Sequence, residues 1–337
     1  MTIRMGINGF GRTGRALFRA ARRDELDIEV VAINDLGRPE ALARLLARDS
    51  VYGRFPEPIV TDDNAMVVGG HRIVLPSERE IKALPWGALE VDVVVEATGF
   101  FTARMDAAGH LDAGAPRVVV SAPSKGADAT FVMGVNDDTF DPARHVVVSN
   151  ASCTTNCLAV LAKVLDDRFG LEEGFMTTVH AYTGDQQLVD GLHKDPRRAR
   201  AAALNIVPTT TGAARATGLV LPAVQDRLDG LALRVPVPDG SITDLVANVA
   251  STVSVAEVLD AYREAASAGP LKGRLEYAEE PLVSSDIVGS PASCVFDAEL
   301  TMVKARLVKV LGWYDNEWGY ANRLAELAAK VGAAPKP

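Results

Sequence analysis

Cysteine is scarce in this chain. Three in 337 residues are too few for a disulfide framework, and with no Cys-x-x-Cys pair or His/Cys cluster at ligand spacing the expectation is no bound metal and a reducing, cytoplasmic setting. Apolar runs are short, none approaching the ~20 residues of a membrane span, and Met1-Thr2-Ile3-Arg4 enters a strand without the apolar core of a signal peptide. Basic charge is also lacking: 35 Lys and Arg against 44 Asp and Glu leave a net charge of −9, which argues against nucleic acid or an anionic membrane as partner, because those surfaces need a basic face. There is no internal repeat and no low-complexity segment. What remains is ordinary for a globular protein, 48% hydrophobic and 23% charged, with a length that predicts two domains, each large enough for its own core.

The stretch around which the chain is organised is Ser149-Asn150-Ala151-Ser152-Cys153-Thr154-Thr155-Asn156-Cys157. It begins where the apolar run His145 to Val148 stops and a helical pattern (Leu158, Leu161, Val164, Leu165) starts. A cysteine at a helix N-terminus sees unpaired N–H groups and a positive dipole end, so Cys153 is expected to have a lowered pKa and nucleophilic character. The competing reading is a buried structural cysteine, which suits Cys157 better. A thiolate needs a base, and His180, where the strand Phe175 to Tyr182 runs into Gly184-Asp185, is the candidate. His71 and His145 look like strand or loop residues, and His110 like an exposed helical one.

The N-terminal segment reads as a strand, then Gly9-x-Gly11-x-x-Gly14, then a helix, the context that a dinucleotide fingerprint requires. The second strand ends at Asn34-Asp35, where an acidic residue favours NAD over NADP by repelling the 2′-phosphate. Apolar runs at Val91 to Glu96, Val118 to Ser121, Phe131 to Val135 and Val146 to Ser149, alternating with helical stretches at Glu40 to Ala47 and Arg104 to Ala113, predict a doubly wound parallel sheet. Thr98, Phe100 and Ser121, at strand C-termini, are cofactor-contact candidates, with a plain turn role as the alternative for each. After Cys153 longer strands are grouped together, predicting an α+β domain with a mixed or antiparallel sheet. Between them the loop Leu188 to Pro208 carries Arg197, Arg198 and Arg200; a loop this long is functional or interfacial. Thr209 to Ala214 offers hydroxyls and N–H groups to a phosphate, with a plain threonine cap as the alternative. Arg234 lies within an apolar strand, where it needs an anion or carboxylate. Gly332 to Pro337 reads as an unpacked tail.

Together these stretches resemble the phosphorylating glyceraldehyde-3-phosphate dehydrogenases of bacterial type. The resemblance spans essentially the whole chain: Asn8 to Arg15, Ser149 to Cys157, Thr178-Val-His-Ala-Tyr-Thr183, Arg197 to Ala203, Thr211-Gly-Ala-Ala214 and Trp313 to Tyr320. It implies an α/β fold, a Rossmann-type NAD-binding domain (residues 1–150 with the returning C-terminal helix, 316–337) and an α+β catalytic domain (151–315), in a homotetramer. It further implies Cys153 as nucleophile and His180 as base, with Gly9, Gly11, Arg12, Thr13, Gly14, Asp35, Thr98, Ser121 and Asn316 toward NAD. The phosphate of the aldehyde substrate falls to Thr183, Asp185, Arg200 and Arg234, and inorganic phosphate to Ser152, Thr154, Thr211 and Gly212. Three positions depart from the family pattern: Thr13 for isoleucine, Leu192 to Pro196 for Pro-His-Lys-Asp-Leu, and Val237 for threonine. The rival readings are an erythrose-4-phosphate dehydrogenase and a non-catalytic NAD-binding or RNA-binding protein on the same scaffold.

Overall fold

Valine and isoleucine runs without apolar–polar alternation belong to strands buried on both faces. In the computed structural model, which describes residues 2–22 and 26–336, they lie at the centre of a parallel sheet. The chain divides into two compact units, one of residues 1–131, 139–151 and 321–337, the other of residues 132–138 and 152–320.

The first unit is built from β1 (Ile3–Asn8), α1 (Arg12–Ala21), β2 (Ile28–Asn34), β3 (Val93–Glu96), β4 (Val118–Val120) and β5 (Val147–Ser149). Its nine-stranded sheet runs in the order Ala129–Thr130, β5, β4, β3, β1, β2, His71–Val74, Ala65–Val68, Ile59–Asp62. Pairing is parallel as far as His71–Val74, after which two antiparallel strands close the edge. Met5, Ile7, Val93, Val94 and Val95 are fully buried, which is why this sequence is apolar at consecutive positions. The chain moves from β1 to β2 on one side and reaches β3 on the other, so a crevice opens at the C-terminal ends of β1 and β3.

Two expectations from the sequence are corrected. The stretch Phe131 to Val135 is a turn and not a strand, because Gly134 takes φ +83° and the Val135 N–H returns to the Val132 carbonyl at 3.0 Å. The C-terminal residues are packed and not a loose tail: Gly332 lies against Ile3 and Val93, and Arg117 donates to the carbonyls of Ala334 and Pro335.

The second unit contains α2 (Cys153–Phe169), β6 (Leu171–Ala181), α3 (Ala213–Val220), β7 (Leu228–Val235), β8 (Ser241–Val249), β9 (Cys294–Lys304), β10 (Leu307–Tyr314) and the start of α4 (Trp318–Gly332). Its seven-stranded sheet has the order Val207–Thr210, β7, β6, β8, β10, β9, Leu275–Ala278, and is mixed: β6 is parallel to β7 and antiparallel to β8. The helix α2 is buried almost all round, as its unbroken apolar stretch requires. Cys157, Leu158, Leu161 and Leu165 share one core with Met176, Leu245, Val310 and the stacked Tyr262–Phe296 pair. Each such leucine is worth about 2 kcal/mol in apolar area removed from water. The other sheet face stays open. Phe175 pairs across to Val246, then Lys309, then Met302, so these share a face on which Phe175 and Met302 are 74% and 60% exposed.

Candidate functional site

The turn between β5 and α2 is sharp. Ala151 takes φ +55°, a left-handed conformation that costs a non-glycine residue about 1 kcal/mol or more, and Ser152 then caps α2 by accepting the Thr155 N–H at 3.0 Å. Cys153 is therefore the first helical residue and remains half-buried, while Cys157 and Cys294 are fully buried.

Facing it is His180, the penultimate residue of β6, with Nε2 3.5 Å from the Cys153 sulfur. The parallel register of β6 and β7 sets His180 beside Arg234. His180 Nδ1 is 2.7 Å from the Ala181 carbonyl, to which Arg234 Nη1 also donates at 3.1 Å. Nδ1 thus has an acceptor, the carbonyl, at 2.7 Å and a donor, Arg234 Nη1, at 3.1 Å; the shorter contact puts the ring proton on Nδ1, which turns the Nε2 lone pair to the sulfur. The guanidinium continues to Thr183 Oγ1 at 2.9 Å.

Burial pushes the Cys153 thiol up, opposite to the lowered value expected from its helix position; the Arg234 charge is the largest opposing influence. Burial, then Arg234, lowers the His180 imidazole to about 3. His180 is thus neutral at neutral pH. Tyr314 closes the floor: its hydroxyl lies 2.9 Å from Thr154 Oγ1 and 2.8 Å from Thr178 Oγ1, and its ring meets His180 edge to face.

A polar cluster extends from Arg234. Thr183 donates to Asp185, Asp185 pairs with Arg198, and Arg198 Nε donates to Thr209 Oγ1 at 3.0 Å. Arg200, singled out from the sequence, does not join it; it is exposed and pairs with Asp190 at 2.9 Å. Arg198, two residues earlier, stands in its place. Of the remaining expected residues, Ser152 is taken up as the α2 cap, Thr154 is buried against Tyr314, and Thr211 Oγ1 accepts the Ala213 N–H at 3.2 Å beside Gly212, the N-cap of α3. The helices α2 and α3 pack on one another. Asn316 accepts from Ser241 at 2.6 Å, which fixes its amide.

The first unit holds a cleft of about 460 Å³ lined by Asn8, Gly9, Gly11, Asp35, Thr98 and Phe100, among others. Gly9 has φ +96°, and a Cβ on Gly14 would stand 2.1 Å from the Gly9 carbonyl oxygen, so both glycines are required for the turn to close onto α1. Gly11 is the N-cap of α1 and has no side chain to cover the helix N–H groups, the geometry that receives a diphosphate. Asp35 accepts the Phe10 N–H and the Gly37 N–H, both at 2.8 Å, holding its carboxylate at the cleft. The donor set therefore fits a dinucleotide. Arg12 and Thr13 open α1, where Arg12 pairs with Asp49 at 3.0 Å, and Ser121 follows β4. Among the described residues no group of three or more His, Cys, Asp or Glu is arranged to hold a metal ion, and no helix is long and apolar enough to cross a membrane.

Comparison with known proteins agrees along the chain. Residues 3–104 match the family "Glyceraldehyde 3-phosphate dehydrogenase, NAD binding domain", and residues 152–316 match "Glyceraldehyde 3-phosphate dehydrogenase, C-terminal domain". A protein of Streptomyces arenae named glyceraldehyde-3-phosphate dehydrogenase 2 is 59% identical over 99% of this chain and 100% of its own length. The glyceraldehyde-3-phosphate dehydrogenases of Kitasatospora aureofaciens (60% identical, over 96% of this chain and 97% of the relative) and Mycolicibacterium smegmatis (57%, over 98% and 99%) are similar to it in the same way. The nucleotide cleft, the cysteine–histidine pair and the matched domains place this chain in the glyceraldehyde-3-phosphate dehydrogenase family, whose N-terminal domain binds NAD.

Proposed function

We propose that this enzyme oxidises glyceraldehyde 3-phosphate with NAD and inorganic phosphate, giving 1,3-bisphosphoglycerate and NADH. The observation that carries the reading is the Cys153–His180 contact of 3.5 Å beside Arg234. The Cys153 sulfur adds to the aldehyde carbon while Nε2 of His180 takes the thiol proton and then returns it to the alkoxide, which leaves a neutral hemithioacetal and a neutral imidazole. The hemithioacetal is poised for oxidation, and NAD supplies the hydride acceptor when bound. His180 removes the hydroxyl proton as the thioester forms. Inorganic phosphate then attacks the thioester carbon and releases the Cys153 thiolate, so the oxidation energy is kept in the acyl phosphate.

Arg234, Thr183 and Arg198 hold the substrate's own phosphate, with Asp185 fixing the latter two, and its binding energy orients the aldehyde. This assigns to Arg198 the part that sequence resemblance gave to Arg200. Ser152, Thr154, Thr211 and Gly212 receive the attacking phosphate. Toward NAD, the N–H groups of the Gly9 to Gly14 turn and the start of α1, where Arg12 and Thr13 lie, meet the diphosphate, Asp35 the adenosine ribose, Thr98 and Ser121 the strand-end loops, and Asn316 the carboxamide. The cytoplasm suits the reaction, since a reducing medium keeps Cys153 a thiol.

A homotetramer is proposed on the open sheet face bearing Phe175 and Met302 and on the apolar side chains Leu188, Val189, Leu192, Leu204 and Ile206 of the long loop, all exposed; patches of this kind mark interfaces. Light scattering at micromolar concentration should give the mass of four chains, and a monomer would contradict it.

Replacing His180 with Asn should retain NAD binding and lower turnover by about 10²- to 10⁴-fold. The same change should move Cys153 alkylation by iodoacetamide to higher pH, because the thiol then ionises without its acceptor. An unshifted alkylation profile would remove His180 from the pair. Asp35 should set cofactor choice: repulsion of the 2′-phosphate disfavours NADP by roughly tenfold to a hundredfold. Asp35→Asn, which removes the charge and keeps an acceptor for one of the Phe10 and Gly37 N–H groups, should narrow that gap by improving NADP relative to NAD. Equal catalytic efficiency with both cofactors in the unaltered protein would show that Asp35 does not select.

A further inference from the structure

His110, which the sequence presents as an exposed helical residue, is fully buried, and so is Glu96 at the end of β3. Both belong to a hydrogen-bonded chain whose polarity is fixed from each end. At one end, the Asn34 side chain accepts the Glu78 N–H and donates to the Glu78 carbonyl, each at 2.9 Å, which leaves its amide a single orientation. Asn34 Nδ2 also donates to Asn8 Oδ1 at 2.7 Å, so Asn8 turns its own Nδ2 to Glu96 Oε2 at 2.6 Å. At the other end, the Trp86 indole N–H lies 3.0 Å from His110 Nδ1. An indole can only donate, so Nδ1 accepts, the ring proton sits on Nε2, and Nε2 donates to the same Glu96 oxygen at 3.0 Å. Glu96 Oε1 receives the Thr98 N–H at 2.8 Å and the Thr98 hydroxyl. All four partners are neutral groups, and the N–H donors among them cannot reverse.

This carboxylate joins the two loops that line the nucleotide cleft. Asn8 ends β1 and Gly9 follows it; Ala97 and Thr98 follow β3, and all four line the cleft, whereas Trp86, Glu96 and His110 do not. The loops touch without spare room: a Cβ on Gly9 would stand 2.7 Å from the Thr98 nitrogen, and the Ala97 N–H donates to the Asn8 carbonyl at 2.7 Å. We infer that Trp86, His110 and Glu96 are positioning residues for NAD, holding Asn8 and Thr98 so that the Gly9 turn keeps the shape that receives the dinucleotide. The inference rests on the cleft being the NAD site. Glutamine cannot replace Glu96 silently, because its amide nitrogen must face either Asn8 and His110 or the Thr98 N–H, a donor against donors.

The test is isothermal titration of NAD into the full chain carrying Glu96→Gln or Trp86→Phe. Glu96→Gln should weaken NAD by about tenfold to a hundredfold, the cost of an unmatched buried donor. KM for NAD should rise in step while kcat at saturating NAD and the iodoacetamide reactivity of Cys153 stay near those of the unaltered protein. Trp86→Phe, which frees His110 to turn a lone pair toward Glu96, should act in the same direction from a position outside the cleft, and it decides the matter if the Glu96 variant does not fold. A lowered melting temperature with unchanged NAD affinity in both would make the network merely structural and overturn the inference. Hydrogen exchange separates this from a failure of the site itself: NAD should slow exchange at the Phe10 and Gly37 amides of the unaltered protein. No protection there would overturn the cleft assignment, and protection with unchanged affinities would overturn the positioning role alone.

Discussion

The chemistry depends on one contact, a half-buried thiol 3.5 Å from a buried imidazole. Burial drives each group alone toward its neutral form, and Arg234 helps the thiolate while opposing the imidazolium. Moving one proton from sulfur to Nε2 would place two opposite charges at contact distance, so each charge would favour the other. The surrounding fold serves that transfer: the α2 cap at Ser152 fixes where the sulfur stands, the Ala181 carbonyl fixes which ring nitrogen faces it, and the β6–β7 register brings Arg234 alongside.

The same economy of fixed polarity appears in the nucleotide-binding unit. There the glycines remove side chains where backbone must approach backbone, and Asp35, Asn34 and Glu96 hold the loops after β1, β2 and β3 by accepting or exchanging hydrogen bonds with neighbouring backbone and side-chain groups. A sheet whose central strands are buried on both faces gives these loops a rigid base. Function can then sit on short connections without loss of geometry.

Much of this was legible in the sequence where local pattern and structure are tied. Gly9-x-Gly11-x-x-Gly14 between a strand and a helix, and Ser152-Cys153 at the start of an apolar helix, carry their conformations in their own residues. What was not legible depended on contacts distant in sequence or on irregular backbone. Arg198 and Arg200 differ by two positions in a loop, and only the turn in which the Arg200 N–H meets the Arg197 carbonyl, at 3.3 Å, settles which side chain reaches Asp185. His110 reads as a surface residue of one helix from Arg104 to Ala113, but that stretch is two short helices, Arg104–Ala107 and Gly109–Asp112. Gly109 packs so closely on Ile81 that a Cβ would stand 2.5 Å from it, and His110 is carried inward to Trp86. The thiol's raised pKa was missed because a helix N-terminus is visible in sequence and burial is not.

The central claim is that oxidation passes through a covalent acyl group on Cys153 which phosphate removes. It is tested most directly by peptide mass mapping of the protein after a single turnover with NAD and glyceraldehyde 3-phosphate in phosphate-free buffer. The account predicts an acyl adduct on the Cys153 peptide that disappears when inorganic phosphate is added. NADH formation without an adduct, or an adduct on Cys157 or Cys294, would contradict it.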